Sequence, residues 1–219
     1  MVHVSQTVPK VGDGNDAGVD AGVDAGVLDA FLKGDANTVF SHFQSQDHQP
    51  LMLAWAPDKD ILPNMMMQRF YEAWSEMPGH DENAVPNVDD FDVFKFRAAM
   101  GFMVYMDVID DGNDFQFRVF GSRIVDIIGF DWTGRLVSDL PASPSCRAYL
   151  LTCYRAILQC KKPLYTKHRL RKADAAVDWE RFLVPLGDAS ASVSRILGLS
   201  IPILISPEYG QGDHSSFSF

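Results

Sequence analysis

The second half of the chain shows apolar and polar patterns that are typical of β-strands. Residues 101–108 are apolar on both alternations, turn residues occupy 110–113, and the strand pattern resumes at 114–120, so a β-hairpin is expected there. Three more strand-like runs follow it, at 163–171, 178–186 and 193–204.

Helical periodicity marks three other segments. Residues 63–78 begin with Pro63, which suits a first helical turn, and their apolar side chains recur every three or four positions: Met66, Met67, Phe70, Tyr71, Trp74 and Met77. Residues 122–128 have a short helical pattern. Ser143 and Pro144 supply a capping hydroxyl and a first-turn proline for a longer helix that reaches about residue 161.

The order of these elements predicts the fold class. Two strands, a helical segment and three strands argue for an antiparallel α+β fold rather than a parallel α/β sheet, because adjacent strands are then joined by hairpins. We expect a five-stranded antiparallel sheet with a helical insert between the second and third strands, preceded by the helix at 63–78.

All three cysteines, Cys146, Cys153 and Cys160, fall in the long helix, and their spacing of seven places them on one face. Neighbouring cysteines are then roughly 10 Å apart along the axis, too far for an intrahelical disulfide. We interpret them as small core side chains. A redox switch or an intersubunit disulfide is the alternative.

Composition divides the chain into unequal parts. Its 219 residues are 47% apolar and carry a net charge of −10, which disfavours binding to nucleic acid or to an anionic membrane. Residues 1–60 hold nine acidic and three basic side chains and a repeated Ala-Gly-Val-Asp, so we expect an acidic, largely flexible extension at 1–60, a domain at 61–206 and a flexible tail at 207–219. No secretory signal or membrane-spanning run is evident, and a cytoplasmic protein is expected.

A glycine-containing motif follows the first hairpin. It reads Phe-Arg-Val-Phe-Gly-Ser-Arg-Ile at 117–124 and Ile-Gly-Phe-Asp-Trp-Thr-Gly-Arg at 128–135. Together with the strand order, this motif resembles a bacterial PAS-like family of largely unknown function, and the likeness extends over residues 70–203. Further upstream elements of it are Tyr71-x-x-Trp74, Val85-Pro86 and Asp89-Asp90, although Asn87 stands where that family carries a basic residue.

Five residues are candidate ligand contacts: Arg118, Ser122, Trp132, Arg135 and His168. The alternative for the polar residues of the motif is a structural role, in which serine caps a turn and the arginines bind loop carbonyls. His168 alternates with apolar neighbours in its strand; if that face is the inner one, it lies beneath the helices, where PAS relatives hold ligands. A core histidine, a ligand or haem contact, and a titrating sensor are the alternatives.

No nucleophile, phosphate-loop, dinucleotide or metal-ligand motif stands out, and the cofactor is unknown. Trp132-Thr133 replaces the Asn-Cys pair of flavin photosensors, which disfavours adduct chemistry. We therefore expect a sensory or interaction module that binds a small ligand or a protein partner and signals in trans or by self-association. A small enzyme that uses Asp107, Arg118 or His168 for acid–base chemistry is the alternative.

Two surfaces are candidates for association. The Met-rich and aromatic face of the helix at 63–78 is expected either to pack on its own domain or to form a homodimer interface, through Met67, Phe70, Tyr71 and Trp74. The basic run at 161–172 is expected to pair with Asp178 and Glu180 on the next strand, or else to dock an acidic partner.

Overall fold

The computed structural model of the chain describes residues 24–81, 84–172 and 175–205. The expected tail at 207–219, and residues 1–23 of the expected extension, lie outside the described residues. The helices are α1 (Ala25–Leu32), α2 (Ala36–Phe43), α3 (Met65–Ser75), α4 (Ser122–Ile128) and α5 (Pro144–Cys160), with a 3-10 helix at Val93–Phe102. The strands are β1 (His48–Trp55), β2 (Met103–Ile109), β3 (Asp114–Phe120), β4 (Leu164–Lys172), β5 (Ala175–Gly187) and β6 (Val193–Ile205).

The six strands of the described chain form one antiparallel sheet in the order β1-β4-β5-β6-β2-β3. Hairpins join β2 to β3, β4 to β5 and β5 to β6, and α4 and α5 lie in the connection from β3 to β4. The predicted α+β class, the hairpins and the helical insert are confirmed. The sheet has six strands rather than the expected five.

The additional strand is β1, which lies at the sheet edge and pairs with β4. Phe31 and Phe43 of the preceding helices are buried, and Trp55 Nε1 donates a hydrogen bond to the Phe31 carbonyl at 2.8 Å. The packed part of the chain thus begins before Asp60, which corrects the expected start. Pro50 breaks the strand pattern in the sequence, which is why β1 was not predicted. An edge strand tolerates a proline because one row of its backbone groups has no strand partner.

Each face of the sheet carries its own apolar core, because side chains alternate between the faces along a strand. One face is covered by α1, α2, α4 and α5, and its core includes Phe115, Tyr149 and Tyr154. The other is covered by α3 and the 3-10 helix, and its core includes Phe70 and Phe182. We call these the α5 face and the α3 face.

α3 packs on the sheet of its own chain. Met67, Phe70 and Trp74 are at most 3% exposed, and Trp74 Nε1 donates to the Pro185 carbonyl at 3.0 Å. These three side chains offer no surface to a second subunit, which corrects their expected place in a dimer interface. Tyr71, which is half-buried, keeps some accessible surface.

The glycines of the motif have two different structural roles. Gly129 and Gly134 adopt the left-handed conformation, with φ of 83° and 84°, as expected for residues that end an element sharply. Gly121 has an ordinary φ of −56°. A Cβ on Gly121 would instead lie 2.4 Å from the carbonyl oxygen of Gly101, so this position requires glycine because two backbone segments approach closely.

The cysteine-bearing helix begins as predicted. Ser143 Oγ accepts a hydrogen bond from the backbone N–H of Cys146 at 3.3 Å, and Pro144 occupies the first turn. All three cysteines are free thiols, with Cys146 and Cys153 buried and Cys160 half-buried. Burial raises the pKa of Cys146 and of Cys153 to about 12, so both thiols stay protonated at neutral pH.

Candidate functional site

A cavity of about 540 Å³ opens on the α5 face, between the sheet and the helices α4 and α5. This volume falls within the range of about 300–1,000 Å³ that is common for small-molecule sites. Aromatic and branched side chains form much of its wall, namely Phe117, Phe120, Ile124, Ile128, Phe130 and Trp132.

The glycine motif builds this apolar wall. Gly121 lets α4 begin directly after β3, and the left-handed Gly129 ends α4 after two turns. The loop that follows is tied down locally, because Asp131 Oδ1 accepts from the Thr133 N–H at 2.9 Å and Gly134 N–H donates to a β3 carbonyl at 2.7 Å. The motif therefore positions the aromatic residues of the wall, among them Trp132.

Arg181 on β5 lies on the sheet floor of the cavity and is only 4% exposed. Its strand neighbours in register are Thr166 on β4 and Ser200 on β6. One guanidinium nitrogen, Nη2, donates to the hydroxyl of Tyr154, whose ring centre lies 5.0 Å from the guanidinium carbon. The other, Nη1, is fully buried and has no hydrogen-bond partner in the part of the chain that the structure describes.

His168 on β4 lines the same cavity and is 3% exposed. Burial, together with the nearby charges of Arg181 and His48, holds the pKa of His168 well below its usual range, so the ring is neutral at pH 7. Over residues 24–81, 84–172 and 175–205, its Nδ1 has no hydrogen-bond partner. The ring centre lies 5.4 Å from that of His48 and 5.7 Å from that of Tyr149.

His48 extends this polar cluster from β1. Its Nδ1 lies 3.0 Å from the carbonyl oxygen of Phe43 and is therefore the protonated nitrogen of a neutral ring. Burial also lowers the pKa of His48, and the hydrogen bond to the Phe43 carbonyl partly opposes this shift. The edge strand that the sequence did not predict thus places a second neutral imidazole beside His168.

Two charged groups of the wall are engaged by neighbouring polar side chains. Asp47 accepts a hydrogen bond from Ser45 Oγ at 2.6 Å, and Arg171 Nη2 donates to Gln49 Oε1 at 2.8 Å. Trp132 also lines the wall, and its buried Nε1 has no hydrogen-bond partner among the described residues. Arg181, His168 and Trp132 thus each present an unpaired buried nitrogen in the wall of one cavity.

The structure brings two of the five predicted ligand residues to this cavity, Trp132 and His168. Arg118 is exposed and binds Asp107, Ser122 is exposed in the first turn of α4, and Arg135 is exposed in the loop before the long helix. These three do not line the cavity, and their role as ligand contacts stays a prediction.

Arg181 is the main residue that sequence reasoning missed. Along β5 it alternates in phase with Trp179 and Leu183, two side chains of the α5-face core. The signal available in the sequence was an arginine at a position of the strand whose neighbours on the same face are apolar. Arginine is rarely buried without a partner.

The residues of the alternative enzyme lie on two faces of the sheet, with Asp107 and Arg118 paired on one and His168 on the other. Asp107 is buried beside Tyr105 on the α3 face, where it pairs with Arg118 and, at 2.6 Å, with Arg195 Nε. His168 lies on the opposite face of the sheet. No single substrate can contact both groups through the sheet.

The basic run pairs with the next strand as expected. Arg169 binds Asp178 through two hydrogen bonds of 2.6 and 3.0 Å, and Lys167 lies 3.4 Å from Glu180. Both carboxylates are nearly buried beneath these cations. Lys167 and Arg169 therefore stabilise the β4–β5 pair.

In the described part of the chain, no three His, Cys, Asp or Glu side chains are arranged to hold a metal ion. Over the same residues, no helix has the length and hydropathy that a bilayer-spanning segment needs.

The family of the chain follows from a comparison with protein-family models. The model PAS_5, described as a PAS domain, matches residues 63–201, which is more than half of the chain. The chain belongs to this family of PAS domains, as the motif resemblance predicted. The match leaves out α1, α2 and β1, so His48 lies outside the family-defined region. No curated protein matches the chain.

Solved structures with a similar fold include light-oxygen-voltage domains. One, studied with a flavin analogue, is 18% identical, with a TM-score of 0.39, and the match covers 51% of this chain and 83% of the other. An RNA-binding light-oxygen-voltage receptor is 16% identical, with a TM-score of 0.37, over 56% of this chain and 35% of the receptor. A sensory box histidine kinase/response regulator from Burkholderia thailandensis E264 is 13% identical, with a TM-score of 0.34, over 51% and 85% of the two chains.

Proposed function

We propose that this PAS domain is a sensory module that binds a small organic molecule in the cavity beneath α5. The observation that carries the proposal is the convergence of three unpaired buried nitrogens, from Arg181, His168 and Trp132, in the wall of one cavity. Buried polar groups normally have partners, and leaving them unpaired costs stability. A bound molecule that supplies those partners would offset this cost.

A signal would pass through the cover of the cavity. Phe130, which is 51% exposed, and Trp132 belong to the loop that connects α4 to the following elements. Contact of this loop with a ligand would restrain it and change the surface that it presents. The response would then be read by a protein partner in trans or by a second copy of the chain.

Native mass spectrometry of the purified full chain, beside its denatured mass and an absorption spectrum, tests the proposal. We expect additional mass that Ala142→Phe, at the cavity rim, abolishes. Ala98→Phe is the matched control because Ala98 is exposed on the 3-10 helix of the α3 face. An apo mass in every sample, with no thermal shift from a metabolite panel, would transfer the function to protein interaction alone.

We also propose that the domain self-associates through its α3 face. Ile61, Met65, Phe94 and Met100 are between 47% and 74% exposed, and the elements that carry them are α3, the 3-10 helix and the segment just before α3. Exposed apolar side chains grouped on one side of a domain favour association. The expected homodimer thus uses residues around α3 instead of its buried Met67, Phe70 and Trp74.

A further inference from the structure

We propose that the ligand is an organic acid with one carboxylate and an apolar body, and that its carboxylate binds Arg181. This inference rests on the proposed function, because it names the chemical class of molecule that the cavity takes. Its basis is a buried positive charge that no carboxylate of the described residues contacts.

Arg181 is charged but lacks an ionic partner. An arginine stays protonated in proteins, and burial of a charge without a partner is strongly unfavourable. Among residues 24–81, 84–172 and 175–205, no carboxylate lies within ion-pair distance of its guanidinium. Within the described chain, its hydrogen-bond partner is the neutral hydroxyl of Tyr154.

The acidic residues nearest in sequence are committed to other cations. Asp178 and Glu180 alternate out of phase with Arg181, face the other side of the sheet and bind Lys167 and Arg169. Asp47 lines the cavity, but its carboxylate accepts a hydrogen bond from Ser45 and makes no ion pair. A carboxylate that neutralises Arg181 is therefore expected to come from a ligand.

The rest of the cluster fits a monoanion. His168 and His48 are neutral, because burial and the charge of Arg181 lower their pKa values, so the cavity contributes Arg181 as its buried cation. Trp132 adds an N–H donor. A planar guanidinium matches the two oxygens of a carboxylate, whereas a phosphate dianion would keep an uncompensated charge in an apolar cavity.

The apolar wall defines the other end of the ligand. Phe117, Phe120, Ile124 and Ile128 line the cavity without any charged side chain among them. An alkyl or aryl body buried against these residues would gain about 25 cal/mol for each Å² of apolar surface removed from water. The expected ligand is thus an amphipathic acid of moderate size, such as a medium-chain alkanoate or an arylalkanoate.

Matched pairs of probes test this inference on the full-length protein. We would measure binding of decanoate beside 1-decanol, and of 4-phenylbutyrate beside 4-phenyl-1-butanol, by isothermal titration calorimetry. Each pair keeps the apolar body and changes only the head group. We expect each acid to bind at least tenfold more tightly than its alcohol.

Arg181→Met and Arg97→Met assign the preference to one residue. Methionine keeps much of the apolar volume of arginine, and Arg97 is exposed on the α3 face, so the second variant removes the same charge outside the cavity. We expect Arg181→Met to bind acid and alcohol about equally, while Arg97→Met keeps the preference for the acid. Circular dichroism of both variants verifies the fold.

The outcomes separate this inference from the proposed function. Equal binding of acid and alcohol to the unchanged protein, both blocked by Ala142→Phe, would overturn the organic-acid inference and leave a ligand-binding cavity. An acid preference that survives Arg181→Met would also overturn it. Absence of binding for all four probes would overturn it as well, and the retained mass in native spectrometry would then decide the proposed function on its own.

Discussion

At the scale of single residues, the neutral histidines beside Arg181 make the domain sensitive to acid. Burial and the positive charge of Arg181 keep the pKa of His168 well below its unfolded value of about 6.5. Below that pH the unfolded chain binds a proton at His168 that the folded protein does not bind. The contribution of neutral His168 to the free energy of unfolding is thus fully present above about pH 7 and is lost as the pH falls.

We expect His168→Gln to weaken this pH dependence. Between pH 7 and 5.5 the free energy of unfolding of the unchanged protein should fall more steeply than that of the variant, by up to about 1.4 kcal/mol per pH unit. Urea unfolding at several pH values measures the slopes. His42→Gln, at an exposed position, is the control. Parallel slopes for the unchanged protein and His168→Gln would show that His168 titrates normally.

Glycine substitutions distinguish a tight approach from an unusual backbone conformation. Asparagine adopts the left-handed region more readily than alanine, so at Gly134 we expect Asn to be better tolerated than Ala, which costs about 1–2 kcal/mol. At Gly121 any Cβ meets the Gly101 backbone, and asparagine cannot restore the loss. Thermal unfolding of Gly134→Ala, Gly134→Asn, Gly121→Ala and Gly121→Asn measures the loss of stability at each position. Rescue of Gly121 by Asn would indicate that φ, not space, selects glycine there.

At the scale of elements, the segment before α3 completes the domain. β1 pairs with β4, which would otherwise be the sheet edge. α1, α2 and β1 also contribute Phe31, Phe43 and His48 to the α5 face. A chain that began at residue 61 would expose these contacts and the open edge of β4, which is a site for unwanted strand pairing.

Truncation therefore gives a clear element-scale prediction. A shortened chain that starts at residue 61 should lose cooperative thermal unfolding and bind a hydrophobic dye such as ANS. A chain that starts at residue 22 keeps Asp24, which caps α1, and is the control. Cooperative unfolding of the shorter chain at an unchanged temperature would mean that α1, α2 and β1 are dispensable.

The sequence was informative where periodicity was undisturbed. The strands from β2 onward, α4 and the capped α5 could be predicted because alternation, turn residues and the Ser143-Pro144 start agree with one another. β1 was missed because Pro50 and Pro57 break its pattern. Arg181 was missed because periodicity indicates which face a side chain occupies, while the absence of an ionic partner depends on contacts between strands.

At the scale of the whole molecule, the two faces of the sheet are suited to different tasks. The α5 face holds the cavity, whereas the α3 face carries the exposed apolar side chains around α3. β5 and β6 contribute to both, with Arg181 and Ser200 on one face and Phe182 and Leu199 on the other. Ligand binding in the cavity and self-association on the α3 face would therefore involve the same two strands.

Self-association should respond to charges introduced on the α3 face. Met65→Glu combined with Phe94→Glu should lower the dimer fraction measured by light scattering at micromolar concentrations, because each change buries a carboxylate in the interface. Ser41→Glu combined with Gln159→Glu, at exposed positions of α2 and α5 on the other side of the sheet, is the control. A monomeric unchanged protein over the same concentrations would remove the dimer from the proposed function.

The buried cysteines make the domain its own reporter of opening. A thiol reagent reacts with a cysteine that is both accessible and deprotonated. Cys146 and Cys153 are buried in α5, which blocks access of the reagent and raises their pKa values, whereas Cys160 is only half-buried. Labelling rates at the two inner positions would therefore follow the detachment of α5 from the sheet. Because Cys146 also lines the cavity, an occupant that holds α5 in place would slow its labelling in proportion to occupancy.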